Sequence, residues 1–204
     1  MSDRNPVLLL HGIFDTGRIF DRMAAHLTQQ GWDVHRLDMR PNFGLAPIEQ
    51  LAEQVADYVN NQFSAQPIDI VGFSMGGIVA RYYLQRLGGL QQVQRFITLS
   101  SPHRGTFTGN AWPLVGGQQM SYGSEFMRSL NADVKQLHQV QFTSVWTPYD
   151  LMILPANSSQ LGIGRELTVP VLVHRWMVSD KRSIAIVVDE LSKPLSQDKQ
   201  EAIA

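Results

Sequence analysis

No cysteine occurs in this chain of 204 residues, which excludes disulfides, thiolate nucleophiles and cysteine-ligated zinc. Charge of one sign is equally scarce. The 17 lysines and arginines stand against 18 aspartates and glutamates, leaving a formal net charge of -1, so no basic excess draws nucleic acid. The six histidines show no H-E-x-x-H or comparable ligand spacing, and neither a catalytic metal nor another cofactor is expected. No apolar run is long enough to cross a bilayer, so stable membrane insertion is not expected. The opening residues Met1 to Pro6 precede only the short run Val7 to Leu10, which reads as a strand and not as the core of a signal peptide. A cytoplasmic protein is expected by default, and transient contact with a lipid surface stays open. What the chain does have is 44% hydrophobic residues, enough for a sizeable core in one domain spanning 1–204. Nothing in the sequence sets an oligomeric state.

The most informative stretch is Ile68-Asp-Ile-Val-Gly-Phe-Ser74-Met-Gly-Gly77, an apolar strand running into a glycine-flanked serine. The pattern G-x-S-x-G alone is weak, since ordinary glycine and serine frequencies give roughly 0.07 chance matches in such a chain. Its context discriminates. A sharp strand-to-helix turn forces the serine into a strained backbone, and side chains at Gly72, Gly76 and Gly77 would obstruct it. Helical spacing follows at once through Ile78, Tyr82 and the 84–87 stretch, and Gly88-Gly89 stops the helix. A plain glycine turn or a phosphate-binding loop is the alternative. No G-x-x-x-x-G-K-[ST] is present, and the first strand leads to His11-Gly-Ile and not to G-x-G-x-x-G.

Apolar runs of strand length alternate with helical segments along the chain, predicting a parallel sheet with helices on both faces. Strands are expected at Val7–Leu10, Trp32–Leu37, Ile68–Phe73, Val93–Leu99, Phe142–Trp146 and Val169–Val173. Helices are expected over about Phe20–Gln30, Pro47–Phe63, the stretch after Ser74, and Asp180–Leu191. Only Arg104 to Asp133 breaks the rhythm, with glycine and serine around Trp112, Met120, Tyr122 and Phe126. A loop that long reads as a lid or pocket wall. Lys193 onward is a polar tail.

Acyl transfer needs two donors aimed at the developing oxyanion. One is the N–H after the nucleophile, at Met75. The other comes from the loop after the first strand, where Gly12 lets the backbone turn and present the Ile13 N–H. His11 reads as a loop-ordering residue. Its neighbours His11-Gly-Ile-Phe14, with Gly-Phe-Ser74-Met-Gly-Gly and Leu99-Ser-Ser-Pro-His103-Arg-Gly-Thr106, resemble the small bacterial lipases related to triacylglycerol lipases. The resemblance runs from about Pro6 to Leu191. It implies a minimal three-layer α/β-hydrolase fold, lacking the first two strands of larger members, with catalytic residues in the order Ser, Asp, His.

Asp150 lies just past the strand Phe142–Trp146 and resembles the family's strand, turn and acid arrangement. A carboxylate there fixes the tautomer of the catalytic imidazole. A turn or cap aspartate is the alternative reading, and Asp133, in a helical part of the insertion, is the nearest rival. His174 ends the run Val169-Pro-Val-Leu-Val and is followed by Met177 and Asp180, similar to the catalytic histidine of small lipases. That loop usually holds more glycine than Arg175-Trp176-Met177. His103 competes for the base but precedes any plausible acid, so it is expected to line the substrate pocket together with Phe14.

The resemblance implies a serine ester hydrolase, a lipase or esterase, in which His174 deprotonates Ser74. A thioesterase or amidase would use the same residues, and a noncatalytic α/β-hydrolase used for binding is the alternative of a different class. The implied partner is a small-molecule acyl ester or lipid.

Overall fold

The computed structural model describes residues 4–64, 66–111 and 113–195. Trp112 and the tail from residue 196 lie outside the described residues, as does the start of the chain before Arg4. Strand β1 (Val7–Leu10), α1 (Asp21–Gln29), β2 (Val34–Leu37), α2 (Ile48–Phe63), β3 (Ile68–Phe73), α3 (Met75–Arg86) and β4 (Val93–Leu99) follow one another. The insertion then contributes three short helices, α4 (Phe107–Asn110), α5 (Val115–Gln119) and α6 (Glu125–Ala132). Strands β5 (Gln141–Trp146) and β6 (Arg165–Thr168) and helix α7 (Lys181–Ser192) complete the fold.

The six strands form one parallel sheet in the order β2-β1-β3-β4-β5-β6. Successive side chains of a strand point to opposite faces, and β1 shows the consequence. Leu8 and Leu10 join Leu51, Val55 and Val59 of α2 and Ile78 of α3 in one core cluster. Val7 and Leu9 join Met23 and Leu27 of α1 and Ile184 and Val187 of α7 in the other. Both faces are thus covered, and the apolar runs read from the sequence are strands buried on both sides. Among the described residues, no helix is long and apolar enough to cross a membrane.

The last strand departs from expectation. Residues 169–173 are not a strand; β6 lies just before them, with Thr143 paired to Arg165 and Trp146 to Thr168. Arg-Glu-Leu-Thr sits at the sheet edge with only Leu167 of its four residues partly covered, so it lacks the apolar signature of a central strand. The Val169 N–H still donates to the Trp146 carbonyl at 2.9 Å, but the next donor, the Val171 N–H, turns back to the Val169 carbonyl at 2.9 Å and the ladder ends there. Val169 and Val171 are buried as loop residues on the way to His174.

The order reverses at β1, which is flanked by β2 on one side and β3 on the other. A crevice opens outside the carboxyl ends of strands at such a point. Ser74 follows β3 there, beside the loop that follows β1.

Candidate active site

Ser74 has φ 53 and ψ -121, a conformation that a residue with a side chain holds only when its surroundings impose it. They do so through close backbone contact. A Cβ on Gly72 would lie 2.6 Å from the Gly77 Cα, and one on Gly76 would lie 2.1 Å from the Leu10 carbonyl oxygen. The start of α3 therefore packs directly on the end of β1. The Ser74 N–H donates to the Leu99 carbonyl at 2.9 Å, tying the turn to β4.

The loop after β1 runs over the serine, since a Cβ on Gly12 would meet the Ser74 Cβ at 3.1 Å. Its conformation is held from both sides. The Phe14 N–H donates to the Asn42 carbonyl at 3.1 Å, and the Asn42 side-chain amide donates to the Asp15 carbonyl. His11 is fully buried; its Nε2 accepts from the Met39 N–H at 3.0 Å, which leaves Nδ1 to donate to the Gly12 carbonyl at 2.8 Å. Burial pushes its pKa down, against smaller opposing effects of the Gly12 carbonyl and of Asp38 and Asp15. His11 is thus a neutral brace for the loop. Met75 opens α3, where a helix leaves its N–H without an intrahelical acceptor. Neither that N–H nor the Ile13 N–H has an acceptor among the described residues, so both remain available to a ligand oxygen.

Asp150 sits in a turn just beyond β5. Its Oδ1 accepts the Met152 and Ile153 N–H groups, each at 2.9 Å, and its Oδ2 accepts Nδ1–H of His174 at 2.7 Å. Burial raises the carboxyl pKa, but the hydrogen bond and charge of His174, with the Ile153 and Met152 N–H groups, outweigh it and the net shift is downward. With Nδ1 donating to Asp150, Nε2 of His174 is left as the proton acceptor. The ring also packs on Phe73, centroid to centroid 4.9 Å. The two loops are joined by the Thr147 hydroxyl, which donates to the Val171 carbonyl at 2.6 Å.

Ser74 and His174 line one cavity of about 420 Å³, with Asp15, Phe73, Leu172 and Arg175. A second cavity of about 90 Å³ meets Ser74 from the insertion side, lined by Pro102, Thr106, Thr108, Gly109, Gly117 and Met120. Ile13, Phe14 and Met152 border both. Phe14 is thus at the site.

His103 is not. It is fully buried and lines neither cavity. Its Nε2 meets the Thr98 hydroxyl at 2.9 Å, its ring packs on Phe142, and its carbonyl accepts from the buried Arg81 at 3.1 Å. Chain position placed it at the right end of the sheet, but the turn at 100–103 directs it inward. Asp133, the rival acid, caps α6 and pairs with Arg86 at 2.5 Å. Sequence reasoning missed Asp15, whose carboxylate forms a 2.7 Å ion pair with Arg175. It also missed Leu172 as a lining residue, whereas Thr108 and Met120 fall in the 104–133 stretch expected as lid or pocket wall.

Among the described residues no cluster of three or more His, Asp or Glu could hold a metal. The arrangement brings together at one cavity the Ser74 hydroxyl and a histidine ring bonded to the Asp150 carboxylate, beside the Ile13 and Met75 amides.

A family model described as alpha/beta hydrolase fold matches residues 5–188. A Drosophila melanogaster lysosomal thioesterase homolog is 31% identical over 107 residues, which are 50% of this chain and 37% of that protein. A probable alcohol acetyltransferase of Cyberlindnera fabianii is 27% identical over 139 residues, 65% of this chain and 34% of that one. The chain therefore matches little more than a third of the length of either curated relative. The mature form of a Bacillus licheniformis lipase superposes with a TM-score of 0.79 at 14% identity, covering 95% of this chain and 94% of that one. With its parallel sheet, its strained serine after β3 and a family match over nearly its whole length, the chain belongs to the α/β-hydrolase fold family.

Proposed function

We propose that the protein is a serine carboxylic-ester hydrolase of the lipase or esterase type. The observation that carries this reading is the 2.7 Å bond from His174 to Asp150 beside a cavity that His174 shares with the strained Ser74. In the proposed cycle the Ser74 Oγ attacks the ester carbonyl carbon as its proton passes to Nε2 of His174. The carbonyl oxygen, now negative, is held by the Ile13 and Met75 N–H groups. The bond to the leaving oxygen breaks as Nε2 returns that proton to it, releasing the alcohol. Water then repeats the sequence on the acyl-enzyme, yielding the carboxylic acid and free Ser74. Residues 104–133 act in this reading as pocket wall, since Thr106, Thr108, Gly109, Gly117 and Met120 border the smaller cavity.

The test is hydrolysis of p-nitrophenyl esters by wild type and Ser74→Ala, with a fluorophosphonate label alongside. Removal of a serine nucleophile lowers turnover by roughly 10⁴ to 10⁶. A loss of about tenfold or less, or a folded protein that neither labels nor turns over, would overturn the reading. A thioesterase is the second reading, favoured by the thioesterase relative. Acyl-CoA and oxygen esters of the same acyl chain, offered in competition, separate the two.

A further inference from the structure

We infer that the smaller cavity is the acyl site, that it limits the enzyme to short acyl chains, and that the larger cavity takes the alcohol. The inference rests on the ester-hydrolase reading above and deepens it. Its starting point is that Ser74 borders both cavities whereas His174 borders only one.

Four groups surround the carbon that Ser74 attacks. One is the Ser74 oxygen and one is the oxyanion, turned to the Ile13 and Met75 amides. The leaving oxygen must receive its proton from Nε2 of His174, so the alcohol portion extends along the cavity that contains His174. The acyl chain is the remaining substituent, and the remaining space is the cavity without His174. That space is walled by the insertion through Thr106, Thr108, Gly109, Gly117 and Met120.

Size and chemistry of the wall agree. An apolar cavity of roughly 150 Å³ holds the six carbons of benzene. In proportion, 90 Å³ holds about four. The two threonine hydroxyls in the wall are engaged elsewhere: that of Thr108 donates to the Met152 carbonyl at 2.6 Å, and that of Thr106 donates to the Thr108 oxygen at 2.9 Å while accepting the Leu154 N–H at 2.8 Å. They offer an acyl chain no polar partner that would be lost when it binds. The wall is itself closely packed, since a Cβ on Gly109 would come within 2.7 Å of the Gly117 carbonyl oxygen. The other cavity, at about 420 Å³, accommodates a ring-sized alcohol. Phe73, Leu172 and Val173 in its lining suit an aromatic ring, and its Asp15 and Arg175 charges are paired with each other.

The experiment is a two-way ester series with wild-type protein. One arm holds the alcohol constant as p-nitrophenol and varies the acyl chain over two, four, six, eight and twelve carbons. The other holds butyrate constant and varies the alcohol from methyl to phenyl to naphthyl. The expected result is kcat/KM highest at two to four acyl carbons and at least tenfold lower at eight, with no comparable fall along the alcohol arm. Met120→Ala is expected to move the acyl break toward six or eight carbons. Met120→Val serves the same end should the alanine variant not fold. Leu172→Ala is expected to alter the alcohol arm and leave the acyl break in place. Octanoate or laurate cleaved by wild type as well as acetate would overturn the size limit. An acyl break moved by Leu172→Ala and not by Met120 variants would reverse the assignment of the cavities. Absence of Ser74-dependent turnover on every ester would instead overturn the ester-hydrolase reading itself, and this inference with it.

Discussion

Asp15 and Arg175 form a 2.7 Å ion pair that joins the loop after β1 to the loop carrying His174. One loop presents the Ile13 amide and the other carries His174, the proposed general base, so the pair links two parts of the site that the chain does not. Burial raises the Asp15 carboxyl pKa, and Arg175 is the largest effect opposing that rise. Arg175 is largely exposed, at 69%, and exposed pairs contribute about 0–1 kcal/mol. Arg175→Gln should therefore lower kcat by no more than about fivefold. Raising salt to 1 M, where the screening length is about 3 Å, should lower wild-type kcat toward that of the variant and leave the variant unchanged. Equal salt dependence of both proteins would show that the pair does not brace the site.

Asp150→Asn should cost far more than Arg175→Gln without unfolding the loop. The amide oxygen can keep the Met152 and Ile153 N–H bonds. Its NH₂ would then face Nδ1 of His174 and force the proton onto Nε2, the wrong tautomer for a base. By analogy with the same change in serine proteases, kcat should fall about 10⁴-fold. A variant with more than a tenth of wild-type kcat would remove Asp150 from the mechanism.

Two buried histidines should make the fold sensitive to mild acid. His11 and His103 both have pKa values pushed down by burial, His103 well below its ordinary value and further by the charge of Arg81. In the unfolded chain they take protons as pH falls through about 6.5. The folded protein stays neutral at both, so unfolding gains protons and stability declines below that pH by up to about 1.4 kcal/mol per unit for each histidine. Asp150 acts in a lower window, because a depressed carboxylate loses its contribution only as pH drops below about 4. Urea titrations at pH 7.5, 6.5 and 5.5 measure the slope. His103→Gln should remove about half of it; an unaltered slope would mean that His103 is not held neutral.

Gly76→Ala tests the contact between α3 and β1. Overlap with the Leu10 carbonyl, 2.1 Å from the added carbon, belongs to the rare changes costing more than about 4 kcal/mol. A fall in Tm of more than about 10 °C should follow. A Tm within about 3 °C of wild type would show that the two elements are not in contact there.

The sequence revealed β1 and β3 because they are buried throughout and mostly apolar, and β4 and β5 through the apolar residues that remain among their polar ones, such as Phe96, Ile97, Leu99, Phe142 and Val145. It misplaced β6 because Arg165 to Thr168 lie at an edge, where solvent tolerates polar residues, while the valines after them are buried in a loop. The start of the insertion read as a loop because its first two helices hold only 4 and 5 residues, whereas the stretch before Asp133 read as helical and lies in the eight-residue α6. In the site, Ser74 is marked by its own turn, whose glycine requirement is local. Asp150 is found by its position after a strand and His174 from an expected strand that is a buried loop, and the structure brings the two together. His103 shows the limit of such reasoning, since reaching the right end of the sheet does not fix the side chain's direction. Asp15 and Arg175 meet only in three dimensions and leave no local trace.

The edge position of β6 has a bearing on how the protein fails. This strand of four residues pairs only with β5, and the loop it feeds delivers His174 to Asp150. Ser74 and the amides around it rest on the central strands. Partial opening at the sheet edge, where local unfolding is least costly, would withdraw His174, the proposed base, and leave Ser74 in place. Under heat or denaturant, turnover would then be lost reversibly while most of the sheet endures, and the protein would pass through an inactive but still largely folded form.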